Sequence, residues 1–263
     1  MIELKNLCYR WPDADSRIAD LSLTIGAGEK IVLLGANGCG KSTLLKLMNG
    51  LIFADSGEIR WQGQPLSSIH FKQREFARDF RQKNVLLFQH PETMLFNPTV
   101  RDEIAYGLRQ LGTSTEAEIT ARVERWAAEL GLSKVLGQAP FNLSGGQKQK
   151  VALACLLVLN PQLMLLDEPS ASLDPATTGW LVDTLVHSDK TIIASTHNLS
   201  MAAELGERCI ILGMRGEILF DGSVQIALSD ISLLERAGLA HRHRHRHDGA
   251  FHTHVHVHDW DKG

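Results

Sequence analysis

The sequence predicts an α/β fold with a sheet core, an N-terminal antiparallel β subdomain and an inserted helical subdomain. Short apolar strands alternate with helical patterns along most of the chain, which is the rhythm of an α/β sheet. Two segments of alternating apolar and polar residues precede that rhythm, and one long internal stretch is almost entirely helical in pattern. Because the chain has 263 residues and 44% hydrophobic content, one large core and one elaborated domain are expected.

Each strand is predicted from a short run of residues. Alternation over residues 2–8 and 21–25 is typical of antiparallel strands with one buried face. Continuous apolar runs predict core strands at residues 31–34, 85–88, 163–166, 191–194 and 209–212. The first of these core strands runs into a glycine-rich turn.

The chain divides by pattern into several parts. The predicted parts are a sheet domain at residues 1–222, the helical subdomain inside it at about 92–160, a short helical extension at 223–240 and a flexible, histidine-rich tail at 241–263. Within the helical subdomain, Ser114 is the expected helix cap and Gly131 is expected to stop a long helix.

Composition excludes several classes of function. The formal net charge of −3 and the pI near 6.5 give no basic footprint of the kind that nucleic-acid binding needs, so no nucleic acid partner is expected. The four cysteines form no C-x-x-C pair, which argues against disulfides and thiolate metal clusters and favours a reducing cytoplasm. The longest apolar run, at residues 151–159, is half the length of a bilayer span, so a membrane role needs a partner.

The glycine-rich turn at residues 35–43 reads G-A-N-G-C-G-K-S-T and matches the phosphate-loop pattern. It follows a predicted strand and opens a predicted helix, so backbone N–H groups and a helix N-terminus can bind the phosphates of a nucleotide. Lys41 is expected to reach the β- and γ-phosphates, Ser42 to supply an oxygen to Mg²⁺, and Thr43 to lie beside the α-phosphate. The candidate nucleotide contacts are Gly35, Asn37, Gly38, Gly40, Lys41, Ser42 and Thr43.

A buried strand that ends in two acids is predicted at residues 163–168, L-M-L-L-D-E. Such a strand presents carboxylates beside a metal ion. Asp167 is expected to hold Mg²⁺ through water, and Glu168 to polarise the attacking water as general base. Apolar runs that end in acids are common and are more often structural, so this pattern alone does not decide the function.

Residues 143–147 read L-S-G-G-Q directly ahead of a predicted helix. Ser144 stands at the capping position, Gly145 and Gly146 allow close backbone approach to an anion, and Gln147 follows them. This is a second phosphate-binding helix end, about a hundred residues after the first. One chain with two such ends indicates that one end serves a nucleotide held mainly by another copy.

In the order of these motifs the sequence resembles the ATP-binding cassette (ABC) ATPases over residues 1–222. The resemblance implies that Gln89 senses Mg²⁺ and the attacking water, and that His197 contacts the γ-phosphate. It also implies that residues 172–174, S-L-D, form a loop that communicates across a dimer, with Asp174 at its end.

The resemblance assigns an adenine-stacking aromatic to Trp11, with Tyr9 as the weaker candidate. A core-filling role for either ring is the alternative. Two positions depart from the family pattern. Cys39 stands where a small residue is frequent and Lys150 where arginine is usual, and neither change removes a catalytic group.

The family also implies a pair of ATPases. Two copies of this chain, or this chain and a paralogous ATPase, would hold two ATP molecules head to tail, with Ser144 and Gly146 of each completing the other's site. ATP binding closes the pair and phosphate release reopens it, a rigid-body motion that a membrane partner can use. The expected cofactors are ATP and Mg²⁺, and the expected activity is ATP hydrolysis coupled to transmembrane transport.

Residues 89–108 look like the corresponding segment of energy-coupling-factor importers, especially those for cobalt and nickel. In that family the groove beside the glutamine accepts helices of an integral membrane coupling subunit, so Leu95 and Phe96 are candidate docking residues. Internal packing of the helical subdomain is the alternative. A substrate-binding membrane component is a further expected partner, and the expected location is peripheral, on the cytoplasmic side of the inner membrane.

The tail carries histidine at nearly every second position from residue 241 onward. Such spacing can place imidazoles on one side of an extended chain, and imidazole suits Ni²⁺, Co²⁺, Cu²⁺ and Zn²⁺. The alternative is a solvated, pH-responsive extension, and the interleaved arginines oppose cation binding. The candidate ligands for Ni²⁺ or Co²⁺ are His241, His243, His245, His247, His252, His254, His256 and His258.

The leading hypothesis is therefore an ATP-hydrolysing subunit that energises the import of cobalt or nickel. An importer subunit for another substrate is an open alternative. A nickel-inserting nucleotidase would account for the tail, but the guanine-reading N-K-x-D motif is absent from the sequence and L-S-G-G-Q is left unexplained. A soluble cassette ATPase acting on ribosomes or DNA usually carries two cassettes or a long coiled-coil insertion, and this sequence has neither.

Overall fold

The computed structural model describes residues 1–12, 17–247 and 250–257, without the side chains of Arg17 and of the residues from His241 onward. The chain forms two compact units, one of residues 1–66 with 193–263 and one of residues 67–192. The second unit is wider than the predicted helical subdomain because it also holds core strands and the helices beside them. The domain boundaries given above stay predictions.

The secondary structure follows the predicted alternation of strands and helices. The strands of the described chain are β1 (Ile2–Arg10), β2 (Arg17–Ile25), β3 (Lys30–Leu34), β4 (Ser56–Trp61), β5 (Gln64–Pro65), β6 (Asn84–Leu87), β7 (Leu163–Asp167), β8 (Thr191–Ser195), β9 (Arg208–Leu212), β10 (Ile218–Ser223), β11 (Ala240–His247) and β12 (Ala250–Val257). The α-helices are α1 (Lys41–Met48), α2 (Ser68–Phe71), α3 (Arg74–Lys83), α4 (Val100–Leu111), α5 (Glu116–Glu129), α6 (Gly145–Leu157), α7 (Pro175–Val186), α8 (Leu199–Leu205), α9 (Val224–Ser229) and α10 (Ile231–Arg236). All five predicted core strands are confirmed to within one residue at each end.

An antiparallel sheet in the first unit has the strand order β2-β1-β4-β5. Its register places Leu4 opposite Leu23 on one side and Ile59 on the other, and all three side chains are buried. The strands predicted at residues 2–8 and 21–25 are confirmed, and both extend further towards the turn between them. Strands β4 and β5 were not predicted from the sequence, because apolar residues are sparse in Ser56–Trp61.

The first unit also contains parallel strands that position the phosphate loop. Strands β3 and β9 run parallel, and Leu34 at the end of β3 lies opposite Ile211 of β9. Residues 31–34 are fully buried, as expected for a strand covered on both faces. Because parallel strands end at the same edge, the turns that follow β3 and β9 lie side by side.

The second unit pairs β6 with β7 in parallel, so that Leu87 lies opposite Leu166. Helix α5 begins after Thr115, whose hydroxyl accepts the N–H of Glu118 while the Glu118 side chain accepts the N–H of Thr115. The prediction of Ser114 as the cap was wrong, because a reciprocal capping box needs Glu or Gln three residues after the cap. Gly131 follows the end of α5 at φ +69, which confirms it as the stop.

The C-terminal part differs from the sequence prediction. The extension at residues 223–240 contains two short helices, α9 and α10, where one was expected. The tail was expected to be flexible, and this stays a prediction. The described part of its backbone forms an antiparallel pair of strands, β11 and β12, because an alternating sequence suits an extended backbone. Residues 248–249 and 258–263 lie outside the described part. None of the helices in the described residues has the length and apolar content to cross a bilayer.

Candidate active site

Glycine shapes the turn between β3 and α1. Gly35 has φ +146, and a β-carbon there would lie 2.6 Å from Sγ of Cys39 and 2.7 Å from the carbonyl oxygen of Leu212. Gly40, at φ 108, precedes α1 and has no side chain with which to cap it. The first N–H groups of α1 therefore present the kind of helix N-terminus that binds phosphate.

The predicted contacts in this loop occupy its tip and the first turn of α1. Asn37 and Gly38 are exposed at the tip, Ser42 is half-buried and Thr43 is buried. Lys41 is only 7% exposed, and its Nζ donates to the carbonyl oxygens of Gly35 at 2.7 Å and Ala36 at 3.1 Å. The ammonium group is thus held over the loop by its carbonyls, close to the N–H groups that a phosphate would need.

Trp11 is anchored to the phosphate-loop helix by its polar end. Its indole Nε1 donates to Oγ1 of Thr43 at 3.0 Å, and its ring meets Tyr9 edge-on at a centroid distance of 5.3 Å. Nζ of Lys46 lies 5.7 Å from the centroid of the same ring. Both aromatic residues are half-buried, which disfavours the core-filling alternative.

His197 lies at the sheet edge that carries the phosphate loop. The N–H of Thr196, one residue earlier, donates to the carbonyl oxygen of Leu33 at 3.3 Å, two residues before Gly35. His197 is exposed, and Asn198 caps α8 directly after it through a bond to the N–H of Met201. Within the first unit, the structure therefore brings His197 to the edge where β3 ends in the phosphate loop.

The two predicted acids end strand β7 in the second unit. Asp167 and Glu168 are each 6% exposed, and Glu168 has a left-handed backbone with φ +50. A non-glycine residue in that region is uncommon and often marks a functional site. Because Leu87 lies opposite Leu166, Gln89 and Glu168 follow adjacent parallel strands by the same distance. The exposed Gln89 and the buried acids thus share one edge of the sheet.

The L-S-G-G-Q segment begins helix α6 with a capping box. Oγ of Ser144 accepts the N–H of Gln147 at 3.3 Å, and Oε1 of Gln147 accepts the N–H of Ser144 at 3.0 Å. A β-carbon at Gly146 would lie 2.7 Å from the carbonyl oxygen of Ser172, whereas one at Gly145 would lie 3.8 Å from the same residue. Glycine at position 146 is therefore required by a neighbouring loop of the same unit.

That neighbouring loop ends at Asp174, the N-cap of α7. The carboxylate accepts the N–H of Thr177 at 2.9 Å and its hydroxyl at 2.7 Å, and Nζ of Lys150 lies 3.2 Å away. These three groups hold the pKa of Asp174 well below its usual value, and the N–H of Thr177 contributes most. Lys150, which departs from the family pattern, thus joins α6 to α7. Ser172, at φ +64, bends the loop towards Gly146.

Sequence reasoning missed two residues that hold this unit together. Gln149 is completely buried, and its Nε2 donates to the carbonyl oxygen of Pro169 at 2.9 Å, directly after Glu168. Glu103 is 4% exposed, and its carboxylate accepts the N–H groups of Phe96 at 2.8 Å and Asn97 at 2.6 Å. Each of them is a polar residue on the apolar face of a helix, and this pattern in the sequence could have identified them.

The two candidate docking residues differ in exposure. Phe96 is 66% exposed and meets Tyr106, which is 40% exposed, edge-on at 4.9 Å. Leu95 is half-buried. Phe96 is therefore not packed inside the helical subdomain, as one alternative would have required.

The four cysteines are free thiols in the structure. Burial raises the pKa of Cys39 next to the phosphate loop, and it raises the pKa of Cys209 to about 12. Where side chains are described, no group of three or more His, Cys, Asp or Glu residues is placed to hold a metal ion. The side chains of the tail histidines lie outside the described part.

The predicted site residues divide between the two units. The first unit holds Trp11, the loop of residues 35–43 and His197. The second unit holds Gln89, Ser144, Gly145, Gly146, Gln147, Asp167, Glu168 and Asp174. A glycine-lined phosphate loop with a buried lysine and a strand that ends in buried acids are both features of P-loop proteins that hydrolyse nucleotides.

Comparison with known proteins gives the family. Residues 18–171 match the model of the ABC transporter family. The nickel import ATP-binding protein NikO of Rhodobacter capsulatus is 41% identical over 225 residues, covering 83% of this chain and 88% of that protein. The energy-coupling factor transporter ATP-binding protein EcfA2 of Methanospirillum hungatei is 40% identical over 242 residues, covering 91% of this chain and 59% of that longer protein.

Two solved structures are similar as well. The structure of cbiO1 from Clostridium perfringens, described as part of the ABC transporter complex cbiONQ, has a TM-score of 0.72 and 27% identity, covering 90% of this chain and 94% of that one. A dimeric, post-hydrolysis structure of the ATP-binding cassette MJ0796 bound to ADP and Pi has a TM-score of 0.75 and 27% identity, covering 85% of this chain and 99% of that one.

The chain belongs to the ABC transporter family and hydrolyses ATP to drive transport. Within that family it is close to the energy-coupling-factor, CbiO and NikO ATPases. ABC ATPases bind ATP with Mg²⁺, form dimers and associate with membrane components. This assignment decides against the nickel-inserting nucleotidase.

Proposed function

We propose that this chain is the ATPase subunit of an energy-coupling-factor type importer for nickel or cobalt ions. The observation that carries the proposal is the 41% identity to a nickel import ATP-binding protein over 83% of this chain. The similarity to cbiO1, part of a cbiONQ complex, supports the same class of importer. The proposed location is peripheral, on the cytoplasmic side of the inner membrane, as expected for a subunit that works on membrane partners.

The residues of the phosphate loop fit Mg²⁺-ATP. Asn37 and Gly38 are exposed at the tip of the loop, where glycine leaves room for a phosphate to approach the backbone, and Lys41 lies buried beside it. Lys41 would exchange its bonds to the carbonyls of Gly35 and Ala36 for the β- and γ-phosphates. Ser42, Asp167 and Gln89 would hold Mg²⁺, which neutralises charge on the phosphates.

The hydrolytic step is assigned to the acids and their neighbours. Glu168 would accept a proton from the attacking water as general base, a role that its burial and fixed backbone favour. Gln89 would orient the same water, and His197 would hydrogen-bond the γ-phosphate. Trp11 would stack on the adenine, because Thr43 fixes the edge of its indole ring.

The functional unit proposed here is a pair of ATPases, formed with a second copy or a paralogue. The dimeric structure of the similar cassette MJ0796 supports such a pair. Ser144, Gly145, Gly146 and Gln147 of one protomer would then complete the ATP site of the other, with Asp174 near the shared interface. Since Ser144 and Gln147 also cap α6, the same bonds would keep the signature helix end rigid.

The proposed membrane partners are a coupling subunit and a substrate-binding component. Phe96 and Tyr106 form an exposed aromatic pair in the segment that follows Gln89, and Glu103 fixes the backbone of Phe96. A helix of the coupling subunit would pack against this pair and Leu95. Docking next to Gln89 would connect the membrane subunit to the nucleotide site.

Metal uptake by intact cells tests the proposal. Glu168→Gln is expected to abolish the uptake of radiolabelled nickel or cobalt while the protein remains folded. Glu129→Gln, at an exposed position on α5, is the matched control and should leave uptake unchanged. If Glu168→Gln leaves the uptake of both ions intact, the chain energises import of another substrate.

We further propose that the tail binds Ni²⁺ or Co²⁺. The backbone register of β11 and β12 supports this, because it places histidine opposite histidine at three successive positions of one face. The opposed pairs are His241 with His256, His243 with His254, and His245 with His252. Directly opposed residues in antiparallel strands have β-carbons about 5 Å apart, and imidazole is a good ligand for both metals.

The same register separates the arginines from the histidines. Arg242, Arg244 and Arg246 alternate with the histidines along β11, so they belong to the other face of the hairpin. This weakens the objection that the interleaved arginines oppose cation binding. His247 lies opposite Ala250, and His258 is beyond the described residues.

Two double variants of equal composition test the pairing. His245→Gln with His252→Gln removes one pair and leaves two neighbouring pairs, whereas His245→Gln with His254→Gln breaks two pairs. By equilibrium dialysis with Ni²⁺, the first variant should retain the tightest site and the second should weaken it by about tenfold, about 1.4 kcal/mol. Equal losses in both variants would show that composition alone governs binding.

A further inference from the structure

The segment that follows β10 is a folded element of the first unit. Helix α10 is capped by Asp230, whose carboxylate accepts the N–H of Leu233 at 3.0 Å. Leu233, Leu234 and Ala237 are at most 2% exposed. This segment lies beyond residues 18–171, the part that matches the family model.

The turn after α10 contacts the phosphate loop directly. The carbonyl oxygen of Ala237 accepts the N–H of Ala36 at 3.1 Å. Gly238 has φ +70, and a β-carbon there would lie 3.0 Å from Cβ of Ala36. The turn itself is held by the N–H of Leu239, which donates to the carbonyl oxygen of Leu234 at 2.8 Å.

Ala237 and Lys41 bind the two polar groups of one peptide bond, the peptide between Gly35 and Ala36. The peptide between Gly35 and Ala36 donates through its N–H to Ala237, and its carbonyl oxygen accepts Nζ of Lys41 at 2.7 Å. A peptide group is planar, so its N–H and carbonyl rotate together. Fixing the N–H therefore also fixes the direction of the carbonyl that positions the Lys41 ammonium.

We propose that the turn at residues 237–239 is a positioning element of the nucleotide site. Ala237 orients the Gly35–Ala36 peptide, and the carbonyl of this peptide keeps Lys41 beside the loop until the β- and γ-phosphates replace it as partner. Gly238 lets the two backbones approach because it has no side chain. The inference rests on ATP binding by the phosphate loop and is independent of which ion is transported.

Two glycine variants separate this role from general backbone strain. Gly238→Ala and Gly131→Ala introduce alanine at nearly the same angle, φ +70 and φ +69, but a β-carbon at Gly131 meets nothing within 4 Å. Both should lower the melting temperature because alanine is strained at this angle, and Gly238→Ala should lower it further through its close contact with Ala36. Only Gly238→Ala should weaken the binding of a fluorescent ATP analogue to the purified chain, by about tenfold. Equal nucleotide affinity in the two variants would overturn the proposal.

A second substitution tests whether the effect passes through Ala36. Ala36→Gly added to Gly238→Ala removes one of the two β-carbons that meet, so it should restore most of the nucleotide affinity. If affinity stays low in the double variant, the turn does not act on the loop through this contact. Should Gly238→Ala fail to fold, hydrogen exchange in the wild-type protein decides, and an unprotected Ala36 amide would overturn the proposal.

Discussion

The indole Nε1 of Trp11 donates a hydrogen bond to Oγ1 of Thr43 at 3.0 Å. The bond joins the residue that follows β1 to helix α1, and it fixes an aromatic ring beside the start of this helix. A ring held by its edge keeps its face available for stacking, which a freely rotating ring would not do.

Trp11→Phe keeps an aromatic ring but loses this bond, so we expect the affinity for ATP to fall by about threefold. Trp11→Ala removes the ring as well and should cost about tenfold, about 1.4 kcal/mol. Titration with a fluorescent ATP analogue measures both. Trp126→Phe, on α5 in the other unit, serves as control, and an equal loss there would contradict the assignment.

Gly146→Ala should destabilise the second unit, because its β-carbon would lie 2.7 Å from the carbonyl oxygen of Ser172. A backbone oxygen cannot move aside cheaply, so a loss of about 1–3 kcal/mol in the free energy of unfolding is expected. A β-carbon at Gly145 would lie 3.8 Å from the side chain of Ser172, which is an ordinary contact distance. Gly145→Ala should therefore leave the stability nearly unchanged. Urea denaturation measures the free energy of unfolding of both variants. Equal values would show that the loop at Ser172 moves away from the added β-carbon at little cost.

Asp174→Asn keeps a capping side chain but removes the charge. The bonds from Thr177 and the ammonium of Lys150 lower the pKa of Asp174 in the folded state. A lowered folded pKa means that the carboxylate stabilises the fold above its unfolded pKa of about 3.9, and that this contribution is lost as the pH falls further. The stability difference between wild type and variant should thus be constant near neutral pH and shrink below about pH 4. Asp189→Asn, at an 86% exposed side chain, is the control.

Glu103→Gln should loosen the segment that follows Gln89. The buried carboxylate accepts two backbone N–H groups and the Nδ2 of Asn97, and an amide cannot accept all three without turning a donor towards a donor. We expect a loss of about 2 kcal/mol in the free energy of unfolding. Glu92→Gln, which lies in the same segment but is exposed, should change stability little.

Thiol labelling should distinguish the cysteines. Burial raises the pKa of Cys39, Cys155 and Cys209, and at Cys209 it reaches about 12, so these thiols stay protonated near neutral pH. Cys8 is half-buried on a strand of the antiparallel sheet. A disulfide reagent should therefore modify Cys8 before the buried Cys39 and Cys209 in the native protein, and all four thiols after unfolding. Rapid loss of Cys39 in the native protein would contradict its burial.

The sequence by itself determined the core strands, the phosphate loop and the helix that begins after Ser144. Each of these is encoded locally, by an apolar run, by glycine spacing or by a capping residue with Gln three positions later. The same local logic failed at Ser114, where the neighbouring Thr115 has the better capping partner.

Only the tertiary structure decided which distant segments meet. The bond between Ala36 and Ala237, the approach of Gly146 to Ser172 and the pairing of tail histidines join positions that no periodicity links. A local pattern reports that a residue is apolar, polar or small, but packing chooses its neighbour. The phosphate loop was therefore predictable as a motif, while the C-terminal turn that holds its first peptide was not.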